Sequence, residues 1–183
     1  MTTERQEWEI DHTHSSIHFW VRHLMVSKVH GAFASWRGRL VLGEDDLARS
    51  SVHVEIDAAS LDTREQRRDE HLRSPDFLDV GAHPTITFES REVAVVADDH
   101  LQIRGDLTIR GNTRPITLEV EVGGRTRDPW GGERAGFSAT ATLDRRDFGL
   151  TWNQALEVGG VLVGDKVTIT LEIEAIRKAA KAA

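Results

Sequence analysis

The stretch LQIRGDLTIRGNTRPITLEVEV, from Leu101 to Val122, decides the fold. Leu101, Ile103, Leu107 and Ile109 fall on one side of its first run, and Ile116, Leu118, Val120 and Val122 on one side of its second. A period of two belongs to a strand, whose successive side chains point to opposite faces. Gly111 and Asn112 sit between the runs and Pro115 opens the second, so the segment predicts an antiparallel hairpin.

The same alternation recurs on both sides of this hairpin. Trp8 to Asp11 reads as a short first strand or arm. Ser16 to Leu24 places Ile17, Phe19 and Val21 on one face and Ser16, His18, Trp20 and Arg22 on the other. Val29 to Leu42 reads as one long strand carrying Phe33, Trp36 and Leu40, bent at Gly31 and Gly38. Val52, Val54 and Ile56 make a clean strand. Thr85 to Val96 (with Ile86 and Phe88), Ala135 to Leu143 (with Phe137) and Lys166 to Ile176 (with Val167, Ile169, Leu171 and Ile173) complete the set. Between them, Asp62-Thr63-Arg64-Glu65 has the spacing of a helix N-cap followed by a glutamate, which predicts a short solvated helix to Arg73. Phe77, Leu78 and Val80 are expected to fold back over an opening or an edge. Asp144 to Asp147 reads as a single helical turn.

The 183 residues favour a single domain, 1–183, with frayed ends at 1–6 and 177–183. Cysteine is absent, which excludes disulfides, thiolate nucleophiles and Cys-ligated metals. The net charge of −7 argues against bulk nucleic-acid binding and against docking on an anionic membrane by charge alone. The opening MTTERQEWEI has no apolar h-region, so no signal peptide is expected and the expectation is a cytoplasmic protein. No apolar run approaches the ~20 residues of a membrane-spanning helix. An all-β chain with this many amphipathic strands removes its exposed edges by closing into a barrel, with the apolar face inside.

Several segments resemble the YceI-like family of polyisoprenoid-binding, lipocalin-like barrels. They are HSSIHFWVRHLMVSKVHGAF, VEIDAASLDTREQRRDEHLRSPDFLDV, HPTITFES, GDLTIRGNTRPITLEV, DPWGGERAGFSATATLDRRDFGLTWN and GGVLVGDKVTI, and they run from Trp8 to Ala175. The resemblance implies an extended antiparallel β-barrel of eight strands, lipocalin-like, with one or two short helices. It also implies an apolar channel for a long-chain isoprenoid or related amphiphile, of the polyprenyl phosphate or isoprenoid quinone type. The bound lipid is the only cofactor expected, and no enzymatic activity is. A homodimer through an edge or open end is expected from family members.

The residues expected to line the channel are the inward apolar set. From the first strands these are Ile17, Phe19, Val21, Phe33, Trp36, Leu40, Val54 and Ile56. From the middle of the chain they are Ile86, Phe88, Leu101, Ile103, Leu107 and Ile109, and later Ile116, Leu118, Val120, Phe137 and Leu171. His14, His23 and Arg146 are candidates for contact with a polar head group. The bland reading of the apolar set is a solid core, and of Asp144-Arg145-Arg146-Asp147 a tight turn with surface ion pairs. His12, His14 and His18 lie close in sequence and suggest a His-dependent metal protein as an alternative. No HExxH motif supports that, metal sites need several convergent ligands, and surface histidine is the simpler reading. No GxSxG elbow occurs. A structural module with a filled barrel is the remaining alternative.

Overall fold

The alternating runs become one sheet that closes on itself. The computed structural model describes residues 5–179. Its strands are β1 (Arg5–Ile10), β2 (Ser16–His23), β3 (Ser27–Phe33), β4 (Trp36–Gly43), β5 (Ser51–Asp57), β6 (Leu61–Asp62), β7 (Thr85–Ala97), β8 (His100–Ile109), β9 (Asn112–Arg127), β10 (Glu133–Asp144) and β11 (Val163–Arg177). Each of β4, β5, β7, β8, β9, β10 and β11 pairs with the next in that order, and β1 joins β11 to β4, so eight antiparallel strands close the ring. β2 continues the path of β1 along β11, and β3 pairs with β2.

The long run from Val29 to Leu42 is therefore two strands, and the break lies elsewhere than expected. Ala34 and Ser35 interrupt it, with Ala34 N donating to the Ser60 carbonyl and Ser35 O accepting from Asp57 N. Gly31 and Gly38 sit inside regular ladders. They make room for neighbours: a Cβ on Gly31 would lie 2.3 Å from the Phe19 ring, and one on Gly38 2.5 Å from the Ile10 side chain. The ends are also more ordered than expected. Arg5 and Gln6 pair with Gly43 and Leu42, and Arg177 pairs with Trp8. The remaining terminal positions, 1–4 and 180–183, lie outside the described residues.

The decisive hairpin forms with a shifted turn. Ile109 pairs with Asn112, so Arg110 and Gly111 are the two turn residues, both with positive φ (49° and 71°). That matches the primed turn whose twist suits a two-residue hairpin. Asn112 starts β9, and its amide donates to the carbonyls of Arg110 and Phe148, tying the turn to the segment after β10. The helix α1 (Gln66–Arg73) starts later than expected. Glu65 caps it by accepting from Arg67 N and Arg68 N, whereas Asp62 accepts from Arg64 N in the preceding turn. α1 is not wholly solvated: Asp69 is buried and accepts from both Thr63 N and Thr63 Oγ1.

The two long connections, residues 58–84 with α1 and residues 145–162, lie at one end of the barrel, here the loop end. The start of β1, the end of β11 and the connections β4–β5, β7–β8 and β9–β10 lie at the other, here the termini end. There Trp8, 1% exposed, packs inside against Leu40, Leu42, Ala135 and Ala175. Arg125 stacks on the Trp8 ring at 5.2 Å and pairs with Glu44 at 3.0 Å, while Arg177 pairs with Glu133 at 2.9 Å.

The apolar barrel cavity as candidate functional site

Between these two ends the barrel is hollow. The inward faces of the strands enclose a cavity of about 270 Å³. Ile17, Val54, Ile86, Leu101, Leu107, Leu118 and Val120 are buried and form the continuous apolar core around it. Phe19, Ile103, Ile116, Phe137, Ile169 and Leu171 also point inward, yet they keep intermediate exposure. A solid core would bury them. Two aromatic rings shape the wall by lying on glycine. Phe88 lies over Gly105, where a Cβ would come within 2.5 Å of the ring, and Phe19 lies over Gly31.

Eighteen of the nineteen expected lining residues lie on this wall, among them Val21, Phe33, Leu40, Ile56 and Ile109. Trp36 does not. It packs on the core from its flank, edge-to-face with His12 at 4.5 Å. It stands at the first position of β4, opposite Ile56, beyond the cavity. The loop end contributes residues that strand periodicity cannot reveal: Leu72 of α1, Phe77 and Leu78, Phe148 and Leu150. Phe77 and Leu78 are buried, and Arg110 Nη1 donates to the Phe77 carbonyl at 2.8 Å.

Polar side chains on the wall are few. Ser50 Oγ accepts from Gly43 N, and Ser51 Oγ accepts from Arg5. Arg145 is the charged lining residue, and it is buried. Its guanidinium donates to the carbonyls of Gly164 (2.8 Å), Leu150 (2.6 Å) and Trp152 (2.9 Å). Burial pushes its pKa down, against the nearby Asp165 and Asp144 carboxylates. It therefore staples the 145–164 segment over the barrel. The expected head-group residue Arg146 sits on the opposite side of the same short helical turn. It is exposed and paired with Asp144 at 2.8 Å and Asp165 at 3.5 Å. Sequence showed two adjacent arginines, and only the turn geometry tells which one faces inward.

The two expected histidines also lie off the wall. His23 stands at the end of β2, opposite Ser27 and Val163. His14 is on the outer surface in the β1–β2 connection, 2.9 Å from Asp11. The Asp11 hydrogen bond, with Glu174 nearby, raises the His14 pKa. Asp11, His14 and Glu174 bring three donor groups together, but Arg134 already pairs with both carboxylates (2.9 Å to Asp11). His12 and His18 do not join them: His12 stacks on Trp36, and His18 pairs with Ala32 on the ladder. The three histidines do not converge.

An apolar wall with no free donor selects by shape and burial. At about 24 cal/mol per Å³ an unfilled cavity of this size forfeits on the order of 6 kcal/mol of packing. Filling it with hydrocarbon returns about 0.8 kcal/mol per CH₂.

Comparison with known proteins agrees with this architecture. A UPF0312 protein of Vibrio cholerae is 43% identical over 137 residues, covering 75% of this chain and 72% of that protein. The crystal structure of a Campylobacter jejuni YceI protein superposes with a TM-score of 0.76 at 29% identity, covering 86% of this chain and 90% of the other. A polyisoprenoid binding domain from Saccharophagus degradans shares the fold, with a TM-score of 0.68 at 13% identity over 96% of this chain and all of its own (100%). Residues 8–175 match the YceI-like domain, nearly the whole of the closed sheet, and the chain belongs to the YceI-like family.

Proposed function

We propose that this protein binds a long-chain isoprenoid, or a related amphiphile such as a polyprenyl phosphate or isoprenoid quinone, and carries or sequesters it. The observation that supports this most is the hollow interior with its apolar wall. The domain from Saccharophagus degradans, which shares the fold, is described as polyisoprenoid binding. Each five-carbon isoprene unit entering such a channel gains roughly 4 kcal/mol of apolar burial before ordering costs. Its branch methyls suit a wall of Ile, Leu, Val and Phe.

The same wall supports a binding protein over an enzyme. Its two serine hydroxyls are hydrogen-bonded to the protein, and no histidine lines it. The tail would occupy the channel and the head group would lie near the loop end, where the covering segments are irregular. Titration with a fluorescent prenyl probe tests the reading. Saturable one-to-one binding, displaced by unlabelled polyprenyl alcohol, is expected. Non-saturable uptake with no competition would overturn it.

A further inference from the structure

We propose that the β2–β3 hairpin is a docking element for an anionic lipid bilayer. Its tip is His23-Leu24-Met25-Val26. His23 pairs with Ser27, so Leu24, Met25 and Val26 form the loop, and Leu24 and Met25 both hold left-handed backbone (φ 50° and 60°), which hairpin turns normally give to Asn or Gly. The strained turn presents Met25 (64% exposed) and Val26 (78%) to solvent. A second loop joins them. Leu24 N donates to the Leu162 carbonyl, and Met25 Sδ lies against Gly160, where a Cβ would come within 2.4 Å. Val158, 94% exposed, projects from that loop with Glu157 beside it. Apolar side chains from two connections thus form one tip at the loop end.

The outer face of the same hairpin is basic and aromatic. Arg22 stands directly opposite Lys28, and Trp20 directly opposite His30. Like charges facing each other across a ladder are destabilising. Both cations lean on the Trp20 ring, Lys28 at 4.1 Å and Arg22 at 5.9 Å. Among the described residues neither has a carboxylate within ion-pair distance, whereas Arg37, Arg91, Arg134 and Arg146 each do. From 12 to 43 the chain contains no Asp or Glu, although its net charge is −7. The hairpin is therefore a locally basic segment of an acidic chain.

An apolar tip flanked by Trp, Arg and Lys matches the chemistry of an anionic membrane interface. A nucleic acid offers nothing to Leu24, Met25 and Val26. The tip is also far smaller than the about 800 Å² per partner that a stable dimer buries. The channel-lining Val21 and Val163 lie directly behind the tip, Val163 opposite His23, so docking would bring this end of the barrel wall to the bilayer. The proposal stands whatever the channel holds.

Sedimentation with vesicles that contain no isoprenoid tests it. Wild-type protein should pellet with phosphatidylcholine–phosphatidylglycerol (3:1) vesicles and weaken sharply as salt is raised. Replacing Arg22 and Lys28 with Gln should cost about fivefold per charge, roughly 25-fold together. The pair Leu24→Asn with Met25→Gly relaxes the turn, so it should melt no lower than wild type and still lose vesicle binding. Equal binding by all three proteins, or none by wild type, would overturn the proposal. So would a dimer in analytical ultracentrifugation that the Asn-Gly variant abolishes while vesicle binding is unchanged.

Discussion

The two ends of this barrel solve the same problem in opposite ways. At the termini end the interior is filled. Trp8 is buried against Leu40, Leu42, Ala135 and Ala175, Arg125 stacks on its ring and pairs with Glu44, and Arg177 pairs with Glu133. Toward the loop end the same alternation of strand residues leaves a hollow, roofed by α1, by Phe77 and Leu78, and by the 145–162 segment. At the termini end one large aromatic packs against two alanines, while along the rest of the barrel the inward Ile, Leu, Val and Phe of opposite walls leave a gap between them. A filled end resists unfolding, and a hollow one has room for a ligand.

That contrast predicts where mutations act. Trp8→Ala should cost about 3–5 kcal/mol of stability by urea unfolding, because it empties the packed end. A loss below about 1 kcal/mol would mean that the termini end is not the packed anchor. Arg145→Met should come next, at about 3 kcal/mol, since four backbone carbonyls lose a buried cationic donor. Limited proteolysis should then cut within 150–162 while the strands stay protected. Ala139→Trp fills the hollow instead. In a packed core it would cost about 1–3 kcal/mol; here the change should stay below ~1 kcal/mol while prenyl-probe affinity falls at least about tenfold.

The smallest effect concerns the surface network of Asp11, His14, Glu174 and Arg134. His14 has a raised pKa in the folded protein, chiefly through its hydrogen bond to Asp11. Its contribution to stability is complete below the unfolded value of about 6.5 and is lost as pH rises through the folded value. The denaturation midpoint should therefore drift down across that window in wild type and lie flat in His14→Gln. Asp11 has the opposite sign: its carboxyl is held well below the usual range by Thr13, His14 and Arg134, so its contribution is lost only in strong acid.

The strands were legible in the sequence because an alternating pattern needs only local information. Leu101 to Val122 reads as a hairpin from its period alone, and the inward face follows from it. What escaped depends on long-range geometry. The break at Ala34–Ser35 is set by hydrogen bonds to Ser60 and Asp57 across a loop, so the run split. Leu72, Phe148 and Leu150 line the cavity from segments with no strand period. Arg145 and Arg146 are identical neighbours, and a helical turn sends one inward and one out. Gly31 and Gly38 read as bends in the sequence, but in the structure they make room for the Phe19 and Ile10 side chains. The hairpin tip at Leu24-Met25 was hidden for a related reason: a left-handed turn is what sequence rules assign to Asn and Gly, and not to two bulky residues.

Denaturing organic extraction of freshly purified protein, followed by lipid mass spectrometry, tests the carrier reading most directly. A lipid carrier should release an isoprenoid at close to one molecule per chain, and the Ala139→Trp variant should release far less. Equal, trace amounts of mixed fatty acids from both proteins would contradict it.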